Sequence, residues 1–514
     1  MIQYVMFLGS KSRIWRLGLA AVAWIVAGPA PSAPPPGPAP ANLPLAPVVL
    51  HLDAQTFQLS NGMRFWLVPD PHRSFVAAGW VAHVGSADDP PGRSGLSHLL
   101  EHLLFQGSRT IGTRDFSRER ALLDEQEELR LAERKPGPDN SAPSSPADRS
   151  KELEAALRAL QVPDEFDRLY SQASASAANA FTTVDLTAYF VSVPANKLEL
   201  WFWLESDRLV QPVFRGFGKE LEVIAEEHQR RLSAPTGSRD ERVEDLFWQD
   251  HPYHAPRLGW PGEVAAFRRL DAEEHFRAFY GPNNLTAVLV GPVQVATARA
   301  LAERYFGRLE PRTLPAPRGS RAAPSRTAEL RLELPCPCPP AVELRYPTVG
   351  SGHEDAYSLD LLAALLGGPA GRLEESLVRA RGRALRATAS QTSYRQAGYF
   401  SLVAEPAAGV SLEELVADLD TLVGELGERQ AGDDELRQAR NHLLNSSLRQ
   451  LEDPFALMIQ LLVHAGQDQP RFFEEAPRQW LAVDPERLQR TALSYLRRQS
   501  RTVVLTTRPA AETR

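Results

Sequence analysis

The chain has 514 residues, of which 43% are hydrophobic and 24% charged, a composition that excludes general disorder, collagen and a polytopic membrane protein and leaves room for more than one domain. Its 57 Lys+Arg against 64 Asp+Glu give a net charge of -7, with no basic surplus for a polyanion, so nucleic acid is not expected as a partner. The two cysteines, Cys336 and Cys338, are separated by one proline; they make neither a disulfide framework nor a four-cysteine zinc site, and their spacing argues against a bridge between them.

In chain order, Lys11, Arg13 and Arg16 precede the apolar stretch Leu17 to Gly28, which leads into small residues and a proline-rich run from Pro29 to Pro47. Residues 1–47 therefore read as a secretory signal followed by an extended spacer, with an uncleaved membrane anchor as the alternative. Either way the folded part is expected outside the cytoplasm, periplasmic or secreted. Next, Phe75 to Gly85 reads as a strand ending in turn-rich SADDPPGRSG, and Leu96 to Phe105 as a strongly apolar helix. Thr187 to Pro194 alternates like a strand, Lys197 to Leu209 is a helix with a core-facing aromatic stripe, and Leu285 to Gly291 is another strand.

An internal repeat emerges when the halves are superposed. SHLLEHLLFQG from Ser97 resembles SLDLLAALLGG from Ser358 (358 − 97 = 261), and YGPNNLTAVLVG from Tyr280 resembles YLRRQSRTVVLT from Tyr495 (495 − 280 = 215). The first half is thus longer by 261 − 215 = 46 residues, and the charged, Leu/Ala-rich segment at about 117–160, broken by PGPDNSAPSSP, reads as a helical-hairpin insertion, a solvated structural arm. The Pro/Arg/Ser/Ala stretch 312–327 is the linker. Two domains are expected, 48–311 and 328–510.

The chemistry is concentrated in His98-Leu99-Leu100-Glu101-His102. On a helix, residues i and i+4 lie about 40° apart, so both imidazoles can reach one metal ion, and Glu101 shares their face as a base for a hydrolytic zinc site. A third ligand is needed. The acidic helix KELEVIAEEHQRRL supplies two candidate pairs, Glu220 with Glu227 two turns apart and Glu222 with Glu226 at i,i+4; spacing alone does not choose between them. His228 is a weaker candidate, expected as a satisfied surface histidine.

GLSHLLEHLLFQGS, NAFTTVDLTAYFVSVP, LELWFWLESDRL, VFRGFGKELEVIAEEHQRR and FYGPNNLTAVLVG together resemble the inverted-zincin, insulinase/pitrilysin-like family of metallopeptidases, of the bacterial type related to mitochondrial processing peptidase. The resemblance implies an α+β fold of two homologous domains, each a mainly antiparallel sheet with helices packed on it, facing one another across a chamber. It implies a Zn2+ cofactor held by His98, His102 and Glu227, Glu101 as general base, and Glu220 as an acidic residue behind the ligands. It places Asn179 near the substrate main chain, with a turn-forming role as the alternative.

One position departs from the family. Where self-sufficient relatives carry an arginine followed seven residues later by a tyrosine that meet the substrate, this chain has Arg379 and Arg386. The resemblance therefore implies a peptide substrate and either a homologous partner chain that lends the pair, or a chain whose own Arg379 and Arg386 suffice, within one copy or across a homodimer. The second half carries Leu359, Leu362 and Ala363 at the metal positions and is expected to bind no second zinc. The function expected is zinc-dependent endopeptidase action on unstructured peptides; the competing class, a non-catalytic assembly subunit, typically loses the metal motif that is intact here.

Overall fold

Phe75–Ala82 shows how the fold is built, because every residue of this strand after Phe75 is buried. A strand puts alternate side chains on opposite faces, so both faces of the sheet must be covered at this point. In the computed structural model, which describes residues 52–132, 146–316, 322–324, 326–368, 370–469 and 471–509, the covering comes from both halves of the chain. The signal or anchor and the spacer expected at 1–47 lie outside the described residues, as do the interior of the PGPDNSAPSSP turn and part of the linker.

The first half contains β1 (Gln55–Gln58), β2 (Arg64–Pro69), β3 (Phe75–Ala82), β4 (Ser176–Thr182), β5 (Thr187–Pro194) and β6 (Leu285–Gly291), and the second half β7 (Leu330–Pro335), β8 (Ala341–Val349), β9 (Ala384–Ser393), β10 (Ala397–Pro406) and β11 (Thr502–Thr507). They form two sheets, of order β1-β2-β6-β3-β5-β4 and β7-β11-β8-β10-β9. Without β1, the sheets have the same order. In each, the first strand pairs in parallel with the last (β2 with β6, β7 with β11), and the other pairings are antiparallel. The repeat read from the sequence is thus a repeat of topology, and the fold is α+β.

The helices of the first half are α1 (Leu96–Leu103), α2 (Phe116–Ala132), α3 (Pro146–Leu160), α4 (Glu165–Gln172), α5 (Leu198–Val210), α6 (Phe217–Leu232) and α7 (Gly237–Trp248). Val76, Ala78, Trp80 and Ala82 of β3 share one core with Leu99, Leu100 and Leu103 of α1 and with Trp201 and Phe202 of α5. On the opposite face of β3, Gly79 leaves room for the second half. A Cβ there would lie 2.8 Å from Leu462 Cδ1 and 2.7 Å from Tyr189 O. Leu462 belongs to the helix Pro454–Gly466, which lies across β3, β5 and β6.

The hairpin between β9 and β10 reaches back to the first half as well. Arg395 N donates to Asp185 Oδ2 at 2.7 Å, Tyr253 OH donates to Asp185 Oδ1 at 2.7 Å, and Gln396 N donates to the Tyr253 oxygen at 3.0 Å. Arg395 also pairs with Asp88 at 3.4 Å.

α2 and α3 pack on each other and are tied to the body by the buried pair Arg215–Glu119 at 2.7 Å. Cys336 and Cys338 are bridged, against expectation. The turn after β7 brings their Cα atoms to 5.2 Å, inside the range a disulfide spans. Among the described residues, no helix is long and apolar enough to cross a membrane.

Candidate metal centre

The site is built on α1, whose N-terminus is fixed from outside the helix. Asp89 accepts the N–H groups of Gly95, Leu96 and Ser97 at 2.8, 3.1 and 2.9 Å and the Ser97 hydroxyl at 2.6 Å, satisfying amides that a helix start leaves unpaired. Gly95 has φ +91°, and a Cβ there would lie 2.6 Å from Leu258 O. Only glycine admits this conformation and this approach of the 256–260 loop.

On the opposite face from its leucines, α1 presents His98, Glu101 and His102 toward α6. His98 Nε2 and His102 Nε2 lie 3.9 and 3.6 Å from Glu227 Oε2. Those distances are too long for hydrogen bonds, so the three atoms face a shared space. His98, His102 and Glu227 offer ligand atoms all within 4.8 Å of one another, and they form the one such group of three or more among the described residues. Two imidazoles and a carboxylate are a donor set that zinc takes, at about 2.0–2.2 Å per bond, so these residues fit the ion.

Behind the ligands, His102 Nδ1 donates to Glu220 Oε2 at 3.1 Å, and Gln106 Nε2 donates to Glu220 Oε1 at 3.1 Å. An acceptor on Nδ1 leaves the Nε2 lone pair directed at the shared space. Glu101, buried, accepts the Thr182 hydroxyl at 2.6 Å. The acidic helix thus turns Glu220 and Glu227 to the site, while Glu222 and Glu226 are exposed. His228 departs from the surface role expected of it: it is buried and meets Glu241 of α7 at 2.9 Å.

Burial holds the His98 imidazole well below its usual range, helped by the charges of His102 and Arg257, so it is neutral and able to bind a metal. Burial raises the Glu101 carboxyl, opposed by His102 and the Thr182 hydroxyl. For His102 burial works against protonation, but the Glu220 hydrogen bond and the charges of Glu101, Glu220 and Glu227 outweigh it and raise the group.

Asn179 lies on β4, the edge strand, where its own Oδ1 accepts the Ala180 amide at 2.9 Å. Arg379 is more than half exposed and sits near Glu374 and Glu375 at 3.6 and 3.7 Å. Arg386 is exposed on the edge strand β9. Sequence reasoning missed Thr182, Gln106 and Arg257. Thr182 stands inside the NAFTTVDLT segment, where a hydroxyl at the end of a strand beside an acid motif was the available signal.

Two family profiles match the chain, "Insulinase (Peptidase family M16)" over residues 64–124 and "Peptidase M16 inactive domain" over residues 266–443. The chain belongs to the insulinase-like M16 peptidase family. Among M16 relatives, the "Zinc protease PqqE" of Helicobacter pylori is 25% identical over 470 residues, spanning 88% of this chain and 92% of that protein. The crystal structure of a protease from Helicobacter pylori superposes with a TM-score of 0.73 at 20% identity, covering 89% of this chain and all of that one. The periplasmic protease PqqL from Escherichia coli gives a TM-score of 0.68 at 17% identity, over 89% of this chain and 48% of that one.

Proposed function

We propose that this M16 member is a zinc-dependent endopeptidase that hydrolyses unstructured peptides and works outside the cytoplasm. The observation that carries the reading is the convergence of His98 Nε2, His102 Nε2 and Glu227 Oε2 beside a buried Glu101. Zinc, when bound, supplies the Lewis acid that polarises the scissile carbonyl and acidifies water. Glu101 takes a proton from the attacking water and returns it to the leaving amine, and Thr182 holds the carboxylate in place for both transfers. Glu220 fixes the His102 ring. The free edge of β4, which ends at Thr182, can accept a peptide as an added strand, with Asn179 beside its main chain; backbone pairing of this kind tolerates varied sequences. The domains 48–311 and 328–510 then divide the labour, with ligands in the first and a metal-free repeat in the second. The signal-like N-terminal segment and the likeness to a periplasmic protease support the location.

Metal analysis and peptide hydrolysis on the same samples test this. Glu101→Gln is expected to keep zinc and lose roughly 10² or more in turnover, whereas His102→Ala and Glu227→Gln lose the metal. Full zinc occupancy in His102→Ala rejects the ligand assignment.

A partner-dependent reading is favoured by one observation, the exposure of Arg379 and Arg386. On this reading the isolated chain binds zinc but cleaves poorly until a homologous chain carrying an Arg/Tyr pair is added. Titration of such a chain into the hydrolysis assay separates the two. High activity of the pure chain, lost in Arg386→Ala, rejects the borrowed pair and shows that the chain uses its own arginines, alone or as a homodimer.

A further inference from the structure

Buried arginines in this protein hold carboxylates. Arg208 pairs with Glu205, Arg215 with Glu119, and Arg345 with Glu343 and Glu244. Beside the metal ligands that habit breaks. Arg257 Nη1 donates to Thr182 O at 2.9 Å, and Thr182 is the residue whose hydroxyl holds Glu101. Among the described residues Arg257 makes no ion pair. Arg231 follows Glu227 by four residues on α6 and so leaves the same face of the helix one turn later. Its guanidinium has neither an ion pair nor a hydrogen bond among the described residues.

Each cation borders the ligand cluster, Arg257 through Thr182 and Arg231 one turn beyond Glu227. Burial and the charge of Arg231 lower Arg257, opposed by Tyr394 and by the carboxylates of Glu101 and Glu227. Those carboxylates are otherwise engaged, Glu101 with Thr182 and Glu227 opposite the two imidazoles. Neither arginine is free to swing away with a mobile loop. Leu258 and Gly259 follow Arg257 directly, and they are pressed so closely on Ser94 and Gly95 that a Cβ on Gly259 would lie 2.1 Å from Ser94 O. Arg257 is therefore carried at a fixed place relative to α1, and Arg231 at a fixed place relative to Glu227. A guanidinium without an ion pair in a half-buried place gains from an anion, and its planar fork matches a carboxylate better than any other common peptide group.

We propose that Arg231 and Arg257 form a clamp for a carboxylate of the peptide substrate, seated beside Glu101 at the zinc end of the β4 edge. This rests on the peptidase reading and names a substrate class for it, peptides with an acidic side chain or a free C-terminal carboxylate within a few residues of the scissile bond.

The test uses the full chain and matched quenched-fluorescence peptides, with Glu replaced by Gln at each position around the cut and with the C-terminus free or amidated. Carboxylate peptides are expected to show kcat/KM about tenfold or more above their neutral counterparts, the scale of a charge-assisted hydrogen bond. The Glu/Gln arm and the acid/amide arm tell the side chain from the terminus. In Arg231→Gln and Arg257→Gln the preference shrinks, and in the double variant it vanishes, while zinc content stays at the wild-type level. A second readout needs no turnover: fluorescence anisotropy of the same peptides on Glu101→Gln protein is expected to show the same order of Kd values. If the protein cuts nothing, the peptidase reading fails while the anisotropy arm still decides the clamp. Equal Kd and kcat/KM for Glu and Gln peptides and for acid and amide forms in the wild type overturns the clamp. So does a preference that survives in the double variant, or an equal loss of turnover on all peptides in the single variants.

Discussion

At the residue scale, the contact that most directly links fold to chemistry is the 2.6 Å hydrogen bond from Thr182 to Glu101. Thr182→Val keeps the shape and the β-branch but removes the donor. Turnover is expected to fall about tenfold, the scale of one hydrogen bond to a charged group, with zinc retained; parallel metal and rate measurements check this, and loss of zinc would assign Thr182 to building the cluster instead. His98, Glu101 and His102 were legible because helical spacing alone aligns them. Glu227 was legible only as one of two pairs, since each pair is internally consistent on a helix and the choice depends on which face of α6 meets α1, a tertiary fact. Thr182 and Arg257 were out of reach for a similar reason. Thr182 comes to Glu101 from a strand 81 residues away, Arg257 comes to Thr182 from a loop after α7, and no local pattern marks either.

At the element scale, the helix Pro454–Gly466 joins the halves and also carries a pH-sensitive group. His464 stacks on Phe472 with ring centres 4.1 Å apart and meets the edge of Phe473, and burial pushes its imidazole down to about 3. The unfolded chain would protonate it near 6.5, so between those values the unfolded state binds more protons and stability rises with pH. The contribution is complete above about 6.5 and is lost progressively on acidification, by at most about 1.4 kcal/mol per pH unit. Thermal unfolding from pH 7 to 5 is expected to show a shallower slope in His464→Phe than in the wild type; equal slopes would show that His464 is not the titrating group. The sequence pattern indicated strands and helices well where apolar periodicity was strong, as in β3, β5, β6, α1 and α5. The CPC segment departs from what its spacing suggests because the turn after β7 brings the two Cα atoms within bridging distance.

At the scale of the whole molecule, the repeat was detectable as two weak sequence matches, and its meaning became clear only in the shared strand order of the two sheets. What sequence offsets did not convey is how the halves interlock, because that depends on missing volume at Gly79 rather than on any side chain. Gly79→Val would drive a branched side chain into Leu462 and the Tyr189 carbonyl, at a cost of about 1–3 kcal/mol if the core shifts to admit it. A lower denaturation midpoint with near-normal secondary structure is the expected outcome, and an unchanged midpoint would mean that the helix Pro454–Gly466 yields freely.

The attachment at Asp185 has a kinetic side. One aspartate receives both Arg395 N and Tyr253 OH, and that tyrosine in turn receives Gln396 N. The tip of the second half is therefore fastened mainly through one carboxylate, with the Arg395–Asp88 pair beside it. Asp185→Ala is therefore expected to speed amide hydrogen exchange at Arg395 and Gln396 together, and unchanged exchange at either would show that the bonds act separately.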